Sequence, residues 1–118
     1  MAKYLVLIYG DEQKWDALTA EEVQDYMRAH GEFAAAAGSG LLGGNELEST
    51  SAATSLRNDS AGRLMVTDGP FVETKEVLGG YYLLEAADLD EAIKLASQLP
   101  EVQTRHGGVE IRPVRVRS

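Results

Sequence analysis

The order of its strand and helix signals constrains this chain most. A short apolar run rich in β-forming residues, Lys3 to Tyr9, comes first and reads as a central strand covered on both faces. Gly10-Asp11-Glu12 ends it. Thr19-Ala20-Glu21-Glu22 is a capping box, in which the Thr hydroxyl and the Glu carboxylate each satisfy a free backbone N–H, so a helix starts there and stops at Gly38. Val23, Tyr26, Met27, His30, Ala34 and Ala37 recur at three- and four-residue steps and are expected on its inward stripe, with Glu21, Asp25, Arg28 and Glu32 toward solvent. Trp15, between strand and helix, is read as a cap on the core rim; the other reading makes it a lid over a pocket.

Leu41 to Leu47 is a short strand broken by Gly43-Gly44, and it lacks the spacing and the Lys-Ser/Thr ending of a phosphate loop. Ala53 to Arg57 and Arg63 to Thr67 flank Asn58 to Gly62 as the arms of a hairpin. Leu78 to Glu85 is the next strand, where Gly79-Gly80 suggests a bulge or a close approach. Asp88 caps a second helix with Leu89, Ala92, Ile93 and Ala96 on its apolar face, and Pro100 marks its end. After the turn His106-Gly107-Gly108, residues Val109 to Val116 alternate apolar and charged as a strand with one wet face; Pro113 places it at an edge or a bulge.

A strand, a helix, several strands, a helix and a strand make the split βαβ order of a ferredoxin-like α+β domain: an antiparallel sheet with two helices on one face, plus an extra hairpin. The 118 residues are expected to form a single domain, 1–118, without linker or repeat. Two helices cover one face of the sheet, and a second copy is the economical cover for the other, so a homodimer is expected.

Charge and composition exclude several function classes. The net charge of −8 argues against nucleic acid and anionic lipid surfaces as partners. The chain has no cysteine, hence no disulfide or thiolate chemistry. Without a signal-like start or an apolar span of about 20 residues, no membrane association is expected and a cytoplasmic location is the default. His30 and His106 lie on different elements without ligand spacing around them, so neither a metal nor another cofactor is expected, and no Gly-x-Ser-x-Gly elbow points to a serine nucleophile. His106 is expected on a loop surface.

The densest chemistry lies in Asp68-Gly69-Pro70-Phe71-Val72-Glu73-Thr74-Lys75-Glu76, a structured connection between two strands. The run from Val66 to Tyr82, with the start Lys3 to Tyr9, the segment Leu89 to Ile93 before Leu99-Pro100 and the ending Val109 to Val114, resembles the DGPF branch of the YCII-related proteins. The resemblance covers nearly the whole chain. It implies a ferredoxin-like domain pairing into a dimeric α/β barrel, and a suggested acid/base pair of a helix His with an Asp. It also implies a genomic association with extracytoplasmic-function sigma factors, and hence a regulatory link.

A candidate site follows. His30, on the first helix, and Asp68, the first letter of the motif, are the expected catalytic pair, the carboxylate orienting an imidazole that exchanges protons with a small polar molecule. Asp11 is the other candidate partner for His30. Gly69, Pro70, Phe71, Glu73, Thr74, Lys75 and Tyr81 are expected to bind the substrate in a pocket between the first helix and the 68–76 loop. The reaction class is proton transfer of isomerase or lyase type. The alternative is a non-catalytic binding or regulatory module in which Asp68 caps its own turn, Phe71 is core, and Tyr81 or Tyr82 forms the dimer seam.

Overall fold

The structure, a computed structural model, describes residues 1–72 and 74–117. Strand β1 (Ala2–Gly10) is central. It pairs antiparallel with β5 (Val77–Ala86) on one side and with β6 (Gly108–Pro113) on the other, and β2 (Leu41–Glu46) adds to the far edge of β5. The order β2-β5-β1-β6 is that of a ferredoxin-like sheet. Strands β3 (Thr54–Asn58) and β4 (Leu64–Asp68) pair only with each other, as the separate hairpin that the sequence announces. Helices α2 (Ala20–Ala37) and α3 (Leu89–Ala96) cross between strands, and a short helix α1 (Glu12–Asp16) precedes them.

Alternation along β1 sets the layers. Tyr4, Val6 and Ile8 point to one side and are buried with Leu84, Ala86, Phe33 from α2, Ala92 and Ala96 from α3, and Leu99. Leu5 and Leu7 point to the other side, opposite Leu83 and Tyr81 in register. These residues are half-buried, so β1 is covered by helices on one face rather than on both. Extents of 49 × 47 × 20 Å describe a slab thick enough for one sheet and one helix layer of about 10 Å each. Its radius of gyration is 16.3 Å, against about 13.5 Å for a compact chain of this length.

The capping box forms as the sequence dictates: Glu22 N–H donates to Thr19 Oγ1 at 3.1 Å and Thr19 N–H to Glu22 Oε1 at 2.9 Å. The stripe expected on this helix is rotated, however. Phe33, absent from it, is the fully buried residue, with Tyr26, His30 and Ala37 half-buried beside it, whereas Val23 and Met27 are exposed, Met27 at 69%. The N-terminal half of α2 borders a cleft instead of the core, which is why its apolar side chains stay wet. On α3 the buried positions are Ala92 and Ala96, while Leu89 and Ile93 are exposed. The last strand stops at Pro113, three residues short of the expected Val116, because proline has no N–H for the ladder; one further bond, Val114 N–H to the Lys3 carbonyl at 2.9 Å, closes it.

Candidate functional site

The open cleft of about 780 Å³ lies where α1, the N-terminal half of α2, β2 and β5 meet. Its floor is polar. His30, on the third turn of α2, bonds through both ring nitrogens: Nδ1 to the Tyr82 hydroxyl at 2.7 Å and Nε2 to Glu101 Oε2 at 2.9 Å. Tyr82 stands on β5 two residues before buried Leu84, hence on the helix-covered side, where its ring also packs on Phe33 at 4.8 Å between centroids. Glu101 sits in the single 3-10 turn Pro100–Val102 that follows α3. It is only 5% exposed, and its Oε1 is buried without a hydrogen-bond partner among the described residues.

An ionised carboxylate only accepts hydrogen bonds, so Glu101 draws the imidazole proton to Nε2 and leaves Nδ1 to accept from the Tyr82 O–H. Protonation of the ring reverses the second bond: Nδ1–H then donates to the Tyr82 oxygen and frees the phenol proton. Burial pushes the Tyr82 hydroxyl above the usual phenol range, and the negative charges of Glu101 and Glu46 add to it. Tyr26, one turn before His30, is raised for the same kinds of reason, burial first, then Glu101 and Glu22. Both groups are therefore neutral donors at physiological pH.

Trp15 closes one end. Its ring lies over Gly10 and Gly79, where a Cβ on Gly79 would meet the indole at 2.5 Å, so only glycine leaves it room. The Trp15 edge meets the His106 ring at 6.2 Å between centroids, and His106 Nδ1 accepts from the Asp11 N–H at 3.0 Å. His106 is thus half-buried and holds the start of α1 rather than lying free on the surface. Trp15 is both a rim residue and a wall of the cleft.

The structure divides the expected site. Tyr81 lines the cleft with His30, and its hydroxyl accepts from Asn45 Nδ2 at 3.1 Å. Asp68 does not reach His30: it is the exposed last residue of β4, in the other sheet, and both imidazole nitrogens are engaged elsewhere. Asp11 caps α1, accepting from the Gln13 N–H at 2.9 Å, and touches His106 rather than His30. Gly69, Pro70, Thr74 and Lys75 line a neighbouring cleft of about 630 Å³ with α1 and Thr50. Gly69 takes the positive φ of 94° that its turn needs, and its carbonyl accepts from Ser55 Oγ at 2.5 Å. Phe71 is exposed, not core, under the Arg57 guanidinium at 4.3 Å. Glu73 lies outside the described residues. The two clefts share Glu12, whose carboxylate accepts from Thr50 N–H at 2.7 Å and Thr50 Oγ1 at 2.9 Å.

Sequence reasoning missed Glu101, which is 71 residues from His30 and follows a proline like any surface turn. The one available signal was its place between Leu99 and Val102 at the end of an apolar helix. No group of three or more metal-ligating side chains gathers among the described residues, and no helix among them is long and apolar enough to cross a membrane.

Comparison with known proteins places this geometry in a family. Residues 2–117 match the YCII-related domain. An uncharacterised protein of Rhizobium meliloti (strain 1021) is 40% identical over 115 residues, covering 94% of this chain and 90% of that protein.

Proposed function

The chain belongs to the YCII-related family, and from its geometry we propose that it binds a small organic molecule in the His30 cleft and exchanges protons with it through the relay Tyr82–His30–Glu101. The observation that carries this reading is the two-sided bonding of one imidazole between a buried carboxylate and a phenol, all three at the wall of a cleft. A histidine serving only as core filler needs one partner, not a chain that leads from a buried charge to a ligand-sized space.

Tyr82 is the group that meets the ligand. Its raised pKa keeps it protonated, so it acts as donor to a carbonyl or leaving-group oxygen, and the imidazolium of His30 restores the proton. Glu101 holds the orientation of the ring through its bond to Nε2. The chemistry is that of isomerisation or elimination, in which a carboxylate of the cleft lining takes the proton that leaves carbon as Tyr82 donates to oxygen. The turn at Asp68 contributes through the neighbouring cleft, where Gly69, Pro70, Thr74 and Lys75 border the shared Glu12.

Hydrogen exchange at carbon tests this. In heavy water, with a mixed pool of small carbonyl and hydroxy compounds, the wild type should place deuterium on carbon in at least one compound. His30→Gln should abolish incorporation and Tyr82→Phe should slow it by about 10²-fold or more, the usual worth of one acid/base group. A folded wild type that labels nothing leaves a non-catalytic binding module.

We further infer that the uncovered sheet face is the seat of a second copy. Leu5, Leu7, Tyr81 and Leu83 form an apolar centre there, and Arg112 and Glu110 pair on the same face at the β6 edge. Such a face is self-complementary under a two-fold axis, and the slab shape of the molecule leaves it otherwise uncovered.

A further inference from the structure

We propose that the His30 cleft is selective for organic cations, a protonated amine or quaternary ammonium carried on an apolar or aromatic body. The inference rests on the previous reading only in taking this cleft as the ligand site; it holds whether or not chemistry follows binding.

Charge is the first argument. Glu12, Asp16, Glu46, Glu48 and Glu101 line the cleft, and no lysine or arginine does among the described residues. An anionic ligand would meet five carboxylates and no permanent positive charge, while a cation would be drawn in by the field of the whole lining, a concentrated part of a chain charge of −8. The two phenols register that field. Beyond the effect of burial, Tyr26 feels Glu101 and Glu22, and Tyr82 feels Glu101 and Glu46, each pushing against ionisation.

Glu101 supplies the independent observation. Its side chain is buried, one oxygen is taken by His30, and the other has no partner among the described residues. A buried carboxylate with half its acceptor capacity unmet carries negative charge that neither bulk water nor a donor among the described residues satisfies at that oxygen. The cleft beside it is where a compensating positive charge can enter. The rings complete the case: Trp15, Tyr26 and Tyr82 line the same space, and aromatic faces beside carboxylates are the walls that hold an alkylammonium, which wants both an opposite charge and a quadrupole. Met27, Leu18, Val23 and Leu47 would take the apolar body.

Trp15 is the only tryptophan of the chain, so its fluorescence reports occupancy of the cleft directly. Three ligands of one size and three charges decide the matter: 2-phenylethylammonium, 2-phenylethanol and phenylacetate, each titrated into the whole protein at neutral pH. The cation should perturb Trp15 with an affinity about tenfold above the alcohol, equivalent to about 1.4 kcal/mol, and phenylacetate should bind below the alcohol. Glu101→Gln should remove the advantage of the cation over the alcohol. Because that variant alters a buried pair, the rim double substitution Glu46→Gln with Glu48→Gln, both exposed, provides the same readout without touching the core. Equal binding of amine and alcohol, preference for the carboxylate, or no response of Trp15 to any of the three would overturn the proposal. Carbon-bound deuterium exchange that fails while the cation still binds removes the acid/base reading alone; exchange that persists without charge preference removes the cation reading alone.

Discussion

The helix-covered half of the main sheet and the β3–β4 hairpin are built from similarly apolar sequences, yet only one of them makes a core. On the first, Val6, Phe33, Leu84 and Leu99 are fully buried. On the second, Leu56, Leu64, Met65, Val66, Phe71 and Val72 are all exposed, Leu64 at 64% and Val66 at 63%. A lone two-stranded ribbon is marginal in water, because both of its faces are wet and it buries too little apolar area to offset the entropy of ordering it. The hairpin is held by its ladder, by the Asp59 carboxylate accepting from Ala61 and Arg63 N–H at 2.9 Å each, and by the Gly69 N–H to Ala53 carbonyl bond at 2.7 Å. The comparison teaches that apolar sequence alone does not make a core: the sheet has helices to pack on, and the hairpin has no covering layer among the described residues.

The largest test sets the two halves side by side. Phe33→Ala should cost about 3–5 kcal/mol by opening a cavity in the core, whereas Leu64→Ala and Val66→Ala should each stay within about 0.5 kcal/mol in dilute protein, where both side chains are mostly exposed. Urea melts read both. An arm substitution as costly as the core one would show that the hairpin is packed in solution and would end the contrast. Next in size is the uncovered sheet face. Leu7→Glu places a charge at its apolar centre, and the proposed dimer should weaken by about a hundredfold or more, seen by light scattering as conversion to monomer. A wild type that is itself monomeric at every concentration would remove the second copy from that face.

How far these features could be read in advance follows the same division. The main sheet was legible because its signals are local: the capping box at Thr19, the alternation of Tyr4, Val6 and Ile8, and the Asp88 cap each announce their element. The rotation of the α2 face was not, since Val23 and Met27 have the spacing of core residues, and only the position of the cleft decides that they stay wet. His30 could be singled out as a rare, poised side chain on the inward side of a helix. Its partners could not, because they are brought in by pairing and packing over 52 and 71 residues of chain. The sequence points to a partner for it in the dense polar turn at Asp68, while the carboxylate that fold topology brings to His30 is Glu101. Local density of charge marks an exposed turn; a buried acid is found by its long-range partner.

A smaller effect sharpens the core half by pH. The Tyr82 and Tyr26 hydroxyls are raised above the ordinary phenol value of about 10, so above that value the unfolded chain gives up these protons before the native chain does. Fewer protons on the unfolded state mean that stability falls as pH rises. The contribution is whole below about pH 10 and is lost as pH climbs through the folded-state values. Melting temperatures should therefore drop across the alkaline range in the wild type and drop less in Tyr82→Phe. The hairpin carries no tyrosine, so its amide exchange should not share this alkaline step beyond the ordinary base catalysis of exchange.

The smallest effect belongs to the hairpin itself. Arg57 lies over the Phe71 ring at 4.3 Å, an exposed cation–π contact that ties β3 to the turn following β4. At an exposed site this is worth about 0.5–1 kcal/mol. Phe71→Leu keeps an apolar side chain and removes the quadrupole, so it should raise amide exchange near Gly69 by about three- to fivefold and leave global unfolding unchanged, since that ribbon opens independently of the core. Adding salt should narrow the difference, because the guanidinium is screened at the surface. A change in the global melt of the size seen for Phe33→Ala would instead mean that hairpin and sheet unfold as one unit, and that the turn at Asp68 is anchored to the core through contacts stronger than the Gly69 bonds to Ala53 and Ser55.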